Sequence, residues 1–295
     1  MKILLIGACN IDIIGTSNQN LILNESNIGE VKISLGGVAK NIATNLYNLG
    51  ADVSFLTLIG ADYFSDLQKQ ELKEIGLDFS KSFFKNTLSS TYLAVHDQNG
   101  DLNVAVNDMR AFEDIQKEEF NSLDEYIETF DVLAFDTNLN ENTLSYLIEK
   151  YKNKTIYVDG VSQTKVVRIQ KVLEHIDLLK INKYELFALL NVDKCDIIVG
   201  VKQLNKLGLK NCLVSSSKDP ITYNIDRSIY QSITHKTKSI KSTMGAGDAL
   251  FSGTIFYLNN GKNMHEAVNF GKIVASKTLE VFEACNKDIK ALIDL

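Results

Sequence analysis

Apolar and polar positions along the chain follow two periods in turn. Short apolar or β-branched runs recur at Ile3–Ile6, Val53–Ile59, Val132–Phe135, Thr155–Val158, Ile176–Ile181 and Cys212–Val214. Runs this short, with no polar face, suit strands buried on both sides of a parallel sheet. Between them lie stretches with helical spacing. Val38, Ala39, Ile42, Ala43, Leu46 and Leu49 share one helical face, with Lys40, Asn41, Thr44 and Asn48 opposite. Asp62–Ile75, Glu141–Tyr151, Val166–Leu173, Lys183–Leu190 and Val201–Leu207 read the same way. This alternation predicts an α/β fold, a doubly wound, mostly parallel sheet flanked by helices.

One region departs from the alternation. Thr91–His96 and Leu102–Asn107 are strand-like runs joined by Asp97-Gln98-Asn99-Gly100-Asp101, and Asn99-Gly100 favours a type I′ hairpin turn. With Glu30–Ser34 they predict a small separate sheet, built from segments near 12–35 and 88–110 of a single domain spanning 1–295. A lid over a binding site and a homodimer contact are both open uses for it.

Composition narrows the function classes. A hydrophobic fraction of 45% over 295 residues is ample for a core. The formal net charge of −6 gives no electrostatic case for nucleic acid or an anionic membrane as a partner. The basic cluster Lys236, Lys238 and Lys241 reads as a solvated edge. Cys9, Cys195, Cys212 and Cys285 lie far apart without metal-ligand spacing, which suits a reducing cytosol better than a disulfide framework. The apolar start is broken by Asn10 and Asp12, too early for a signal peptide, and no run approaches a membrane span. A cytoplasmic protein is expected.

The densest chemistry lies in Ser242-Thr243-Met244-Gly245-Ala246-Gly247-Asp248-Ala249-Leu250. Free N–H groups at a glycine-bearing helix start point at whatever fills the turn, and the helix dipole favours an anion there. A carboxylate beside such a cradle would repel a phosphate. Asp248 is therefore either a helix N-cap or a base that takes a proton from an attacking hydroxyl. Three more segments carry polar residues at element ends: Asp12 after the first strand, Gly36-Gly37-Val38-Ala39-Lys40-Asn41 opening a helix, and Asn182-Lys183-Tyr184-Glu185 following a strand. Singly each suits a turn or a cap.

Together, in this order, they resemble the ribokinase-like carbohydrate kinases, the PfkB family, over nearly the whole chain from Ile3 to about Cys285. The resemblance implies transfer of the γ-phosphoryl group of ATP, with Mg²⁺, to a hydroxyl of a sugar or nucleoside. It implies that Asp12, Gly36, Gly37 and Asn41 hold the acceptor. Asn182, Ser215 and Thr243 would meet the nucleotide, and Glu185 would act on Mg²⁺ through water. Gly245, Ala246 and Gly247 would form the anion hole, and Asp248 would be the base. Within the family, the opening motif, Val104-Ala105-Val106-Asn107-Asp108-Met109 and Val158-Asp159-Gly160-Val161-Ser162 look most like pseudouridine kinases. Asn107 or Asp108 is then expected to read the base, and the 5′-hydroxyl of pseudouridine to be the acceptor. Another nucleoside, or a free sugar such as ribose or fructose, is the alternative. A non-catalytic nucleoside-binding protein is the outlying one.

Two departures bear on the nucleotide side. Ser242 stands where an aspartate is usual, near the family's monovalent-cation site, which leaves a K⁺ requirement open. Val214-Ser215-Ser216-Ser217-Lys218-Asp219-Pro220 replaces a glycine-bearing turn, which leaves the phosphoryl donor open.

Overall fold

The computed structural model describes residues 1–292 apart from Lys218, Lys236 and Lys238, so the solvated-edge expectation for Lys236 and Lys238 lies outside the described residues. An eight-stranded sheet runs in the order Ser228–Ser232, Ile221–Ile225, Cys212–Ser215, Leu178–Asn182, Thr155–Asp159, Val132–Asp136, Ile3–Ile6 and Val53–Leu56. The six strands from Cys212–Ser215 to Val53–Leu56 are parallel, and the two beyond are antiparallel. Period-two alternation divides the core between the sheet's faces. Ile3, Leu5, Val132, Ala134 and Leu178 pack with the helices Val38–Asn48, Ala246–Asn259 and Met264–Thr278. Leu4, Ile6, Leu133, Phe135, Leu179 and Ile181 pack on the other face with Glu141–Lys150, Lys183–Leu189 and Ile197–Lys206. Helices on both faces of a mostly parallel sheet make the fold doubly wound α/β.

A second sheet has four strands in the order Gly29–Gly36, Asn10–Ser17, Thr91–His96 and Leu102–Asp108. Asp12 thus lies inside a lid strand rather than in a turn after the first one. Its register decides which residues share a face. Ser34, Asp12, Tyr92 and Asn107 form one transverse row; Ile33, Ile13, Leu93 and Val106 form the next, on the opposite face.

Several element expectations are corrected. The Asn99-Gly100 turn is not type I′, because only Gly100 of the pair has a positive φ, 82°. The Asp97 carboxylate accepts from the backbone N–H groups of Asn99 and Asp101 at 2.8 and 3.1 Å, and this local turn sets the loop instead. A true two-residue loop with both φ positive occurs at Asp226-Arg227, joining the edge strand Ser228–Ser232 to its neighbour Ile221–Ile225 without a glycine signal. The run Val53–Ile59 divides, since Leu58–Ile59 leaves the main sheet to pair with Phe83–Phe84. Val166–Leu173 is a helix of mixed pitch, Gln163–Val166 continuing as a 3-10 helix Val167–His175. The strand expected from Ile176 begins at Leu178. The helix expected from Val201 begins at Ile197, where the Asp196 carboxylate caps it through the Val199 N–H. Among the described residues no helix is long and apolar enough to cross a membrane.

Candidate active site

Parallel strands bring their C-terminal ends to one edge, and the site is assembled there. The helix Ala246–Asn259 starts at Gly245 with φ 71°, a left-handed turn in which a Cβ would also overlap the Ala284 carbonyl. That turn leaves the N–H groups of Ala246 and Gly247 in the first helical turn, where no partner within the helix is available to them. Asp248 follows in the same turn and is buried. Its Oδ2 accepts from Asn41 Nδ2 at 2.9 Å. Burial pushes the Asp248 carboxyl up to about 6, opposed by the nearby Lys180 ammonium and reinforced by Asp159. A carboxylate so placed is ionised at neutral pH and basic enough to accept a proton.

The second helix start is made by Gly36-Gly37. Gly37 has φ 105° and caps the helix Val38–Asn48, while a Cβ at Gly36 would overlap the Asp12 carboxylate. Close passage of this backbone places Asn41 against Asp248, so its side chain meets that carboxylate directly. Asp12 Oδ1 accepts from Asn10 Nδ2 at 2.5 Å. Burial lifts Asp12 to about 6, against the Lys40 ammonium, which favours its ionised form. A buried carboxylate, Asp136, ties this helix to the sheet: Oδ2 accepts from the N–H groups of Ala8 and Ala39 at 3.0 and 3.2 Å.

The residues expected to meet the nucleotide include two on neighbouring strand ends, Asn182 beside Ser215 in parallel register. Asn182 caps the helix Lys183–Leu189: its Oδ1 accepts from Tyr184 N and Glu185 N, while Glu185 Oε2 accepts back from Asn182 N at 2.8 Å. Burial raises Glu185 to about 7 against the attraction of Lys180. Thr243 is exposed beside the turn. Among the described residues no three His, Cys, Asp or Glu side chains group as a metal site. One buried carboxylate at Glu185, with further oxygen supplied by nucleotide phosphates and water, fits Mg²⁺, which sheds its waters reluctantly.

The structure separates Asn107 from Asp108. Asn107 is exposed on the lid face that carries Asp12, in one row with Tyr92, whose phenol is raised by burial and by Asp12. Asp108 points to the other face, where Arg110 clamps it through Nε at 2.9 Å and Nη2 at 2.6 Å. Its carboxylate is thereby engaged away from Asp12. Three residues went unassigned in sequence. Tyr92 stood out only as part of a strand. Asp159 and Lys180 are paired neighbours in the sheet, both buried, with Lys180 Nζ 2.8 Å from Asp159 Oδ2 and lying against Gly247. A lysine in an otherwise apolar strand, Leu178-Leu179-Lys180-Ile181, was the available signal.

Two glycine-bearing helix starts thus meet at one edge of the sheet, one carrying Asp248 and the other holding its carboxylate through Asn41. The model of the pfkB family carbohydrate kinases matches residues 1–291. The chain belongs to that family. It is 30% identical to a pseudouridine kinase of Escherichia coli K12 over 97% of this chain and 93% of that protein. It is 28% identical to a guanosine-inosine kinase of Exiguobacterium acetylicum over 94% of both. Among solved structures, the ribokinase of Thermotoga maritima superposes with a TM-score of 0.84 at 21% identity, covering 100% of this chain and 98% of that one. This pfkB-family chain is therefore a carbohydrate or nucleoside kinase, a phosphotransferase with an alcohol acceptor.

Proposed function

We propose that the chain transfers the γ-phosphoryl group of ATP to the 5′-hydroxyl of pseudouridine. The observation that carries the choice of acceptor is the lid row Asp12–Tyr92–Asn107, which sets a carboxylate, an aromatic ring and an amide on one face. The carboxylate accepts from the ribose hydroxyls, and the ring and amide border the base. Pseudouridine carries a ring N–H that uridine lacks, and an amide oxygen can accept from it. A site built around that hydrogen bond rejects the analogue lacking it by about 10⁴–10⁵-fold. Asp108, held by Arg110, takes no part. The named activity of the Escherichia coli relative supports the same acceptor.

In this mechanism Asp248 removes the proton of the 5′-hydroxyl as its oxygen attacks the γ-phosphorus. Asn41 holds the Asp248 carboxylate in place, and the N–H groups of Gly245, Ala246 and Gly247 receive the charge on the phosphoryl oxygens. Asn182, Ser215 and Thr243 border the triphosphate. When bound, Mg²⁺ neutralises the phosphate charge, with Glu185 positioned to hold its water. The setting this chemistry requires is the ATP-bearing, reducing cytoplasm, in keeping with four free thiols.

The outer lid face carries Val31, Ile33, Leu93, Val104 and Val106, all exposed. We infer that two copies pair through it, since a contiguous apolar sheet face is costly to leave in water. Sedimentation of the chain against a Leu93→Lys/Val106→Lys variant tests this, a dimer becoming a monomer.

ADP release is measured with pseudouridine, uridine, guanosine, inosine, ribose and fructose in parallel. Turnover selective for pseudouridine is expected. Equal turnover of uridine overturns the base-reading lid, and preference for guanosine or inosine assigns the site to a purine nucleoside.

A further inference from the structure

Beyond the helix Met264–Thr278 the chain returns across both helix starts, where two residues meet them and a third fastens the segment. The Ala284 carbonyl occupies the space that a Cβ at Gly245 would need. Cys285 Sγ lies 3.6 Å from the Asn41 backbone carbonyl oxygen and 3.7 Å from Asn41 Oδ1. Asn286 is buried and ties the segment down: its Nδ2 donates to the Lys277 carbonyl at 2.8 Å, and its Oδ1 accepts from Asp288 N at 2.8 Å. The short 3-10 helix that follows, Lys287–Leu292, buries Ile289 in the same core as Ile42 and Leu46 of the Asn41 helix. Burial pushes the Cys285 thiol up to about 11, opposed by Lys40 and reinforced by Asp248. The sulfur therefore keeps its proton at neutral pH and faces the two carbonyl oxygens as a donor.

An amide side chain has two ends, and which one faces a carboxylate decides whether the contact attracts or repels. Asn41 Nδ2 donates to Asp248 Oδ2 at 2.9 Å. Turned over, the amide would set Oδ1 against the carboxylate and Nδ2 against sulfur, a weak acceptor. From this placement we propose that Cys285 is a positioning residue for phosphoryl transfer, its thiol holding the Asn41 amide with its N–H toward Asp248. Asn286 acts with it by anchoring the segment that delivers the sulfur to the amide. The proposal rests on the reading of Asp248 as the base and adds the residue that orients the base's partner. An N–H held on a carboxylate favours the ionised form, and that preference weakens as the amide is freed to turn. Asp248 also senses Lys180, Asp159, Lys40 and Glu185. The returning segment brings only an uncharged thiol, so replacing it changes the amide's orientation and leaves the charges around the base as they were.

The test compares wild type with Cys285→Ala, which removes the donor, Cys285→Ser, which keeps one, and Asn286→Ala, which loosens the segment. With the acceptor that wild type uses best, Cys285→Ala should lower kcat by about fivefold, the scale of one uncharged hydrogen bond, with the ATP KM within about twofold. The acid limb of its kcat profile should move up by about half a pH unit, less than on loss of the Asn41 amide itself. Cys285→Ser should recover part of both changes, and Asn286→Ala should reproduce them. In an Asn41→Ala background, Cys285→Ala should add nothing further, because its route to Asp248 is gone. The same titration is read without turnover from the Asn41 side-chain amide resonances, assigned by their loss in Asn41→Ala. In Cys285→Ala those resonances should follow Asp248 through a higher midpoint. Unchanged kcat and acid limb in a folded Cys285→Ala protein overturn the proposal. So do losses that add to those of Asn41→Ala, or a lowered melting temperature with the pH profile unmoved, which marks packing alone. Failure of the base assignment is read separately, from an Asp248→Asn variant that retains turnover.

Discussion

Replacing Asp248 by Asn should make the protein more stable and almost inactive at once. The carboxyl rises from 3.8 to about 6 on folding. At ~1.4 kcal/mol per pH unit, that disfavours the ionised form by ~3 kcal/mol at pH 7.5. The sign follows from linkage. A carboxylate with a raised folded-state pKa is neutral in both states well below pH 4, so no penalty exists there. The penalty grows as pH rises from about 4 to about 6 and is complete above. Asparagine keeps the hydrogen bond, since its Oδ1 can accept from Asn41 Nδ2 as the carboxylate does at 2.9 Å. With an unfolding entropy of ~2.1 cal/mol/K per residue, 295 residues turn ~3 kcal/mol into a rise of about 5 °C. Thermal unfolding followed by circular dichroism at pH 7.5 and pH 4.5 should show the full rise at the first and about a third of it at the second. Coupled ADP release should meanwhile fall by about 10²–10⁴-fold, the usual value of a general base. A variant that melts at or below the wild-type temperature at pH 7.5, or retains a tenth of the turnover, refutes the assignment of Asp248 as a buried, ionised base.

The other predictions probe the groups around it. Asn41→Ala removes the donor that favours the charged form of Asp248; the acid limb of the kcat profile should move up by about one pH unit. Asp12→Asn should raise the acceptor KM by about 10–100-fold with a smaller change in kcat, because a carboxylate accepts from two hydroxyls where an amide offers one acceptor. In wild type the same KM should rise as pH falls through about 6, where Asp12 takes up its proton. Gly245→Ala puts a side chain at φ 71° and into the Ala284 carbonyl, and should cost about 2 kcal/mol or more in denaturant unfolding along with most of the turnover.

What could be read without coordinates follows from which physical signals are local. The parallel strands were legible because burial on both faces leaves an uninterrupted apolar run, as in Ile3–Ile6 and Val132–Phe135. The helix starts at Gly37 and Gly245 were legible because a left-handed residue next to an anion or a carboxylate is written in a few adjacent letters. The edge hairpin at Asp226-Arg227 escaped because both residues accept a conformation usually given to Asn-Gly. The small sheet was expected to draw on a segment near 12–35, but the strand Asn10–Ser17 within it was not delimited, because Ile13 and Ile14 break its period-two alternation.

Asp159 and Lys180 escaped for a deeper reason, which bears on how the site works. Asp159 is unmarked in its own segment and Lys180 stands out only as a charge in an apolar strand, while their pairing exists only through the register of two strands joined by a crossover helix. The same register sets Asp159 beside Asp136 on the next strand, so one row across the sheet carries two buried carboxylates and an ammonium. Asp136 is satisfied by backbone N–H groups and holds the Gly37 helix in place. Asp159 relies on Lys180 for its charge balance, and Lys180 lies against Gly247. The two helix starts that carry Asn41 and Asp248 are therefore referenced to a single charged row in the sheet, one through a structural carboxylate and the other through a buried ion pair. In the reaction proposed above, that shared row would hold the acceptor-side helix and the phosphate-side turn at a fixed separation, because both are tied to adjacent strands of one sheet.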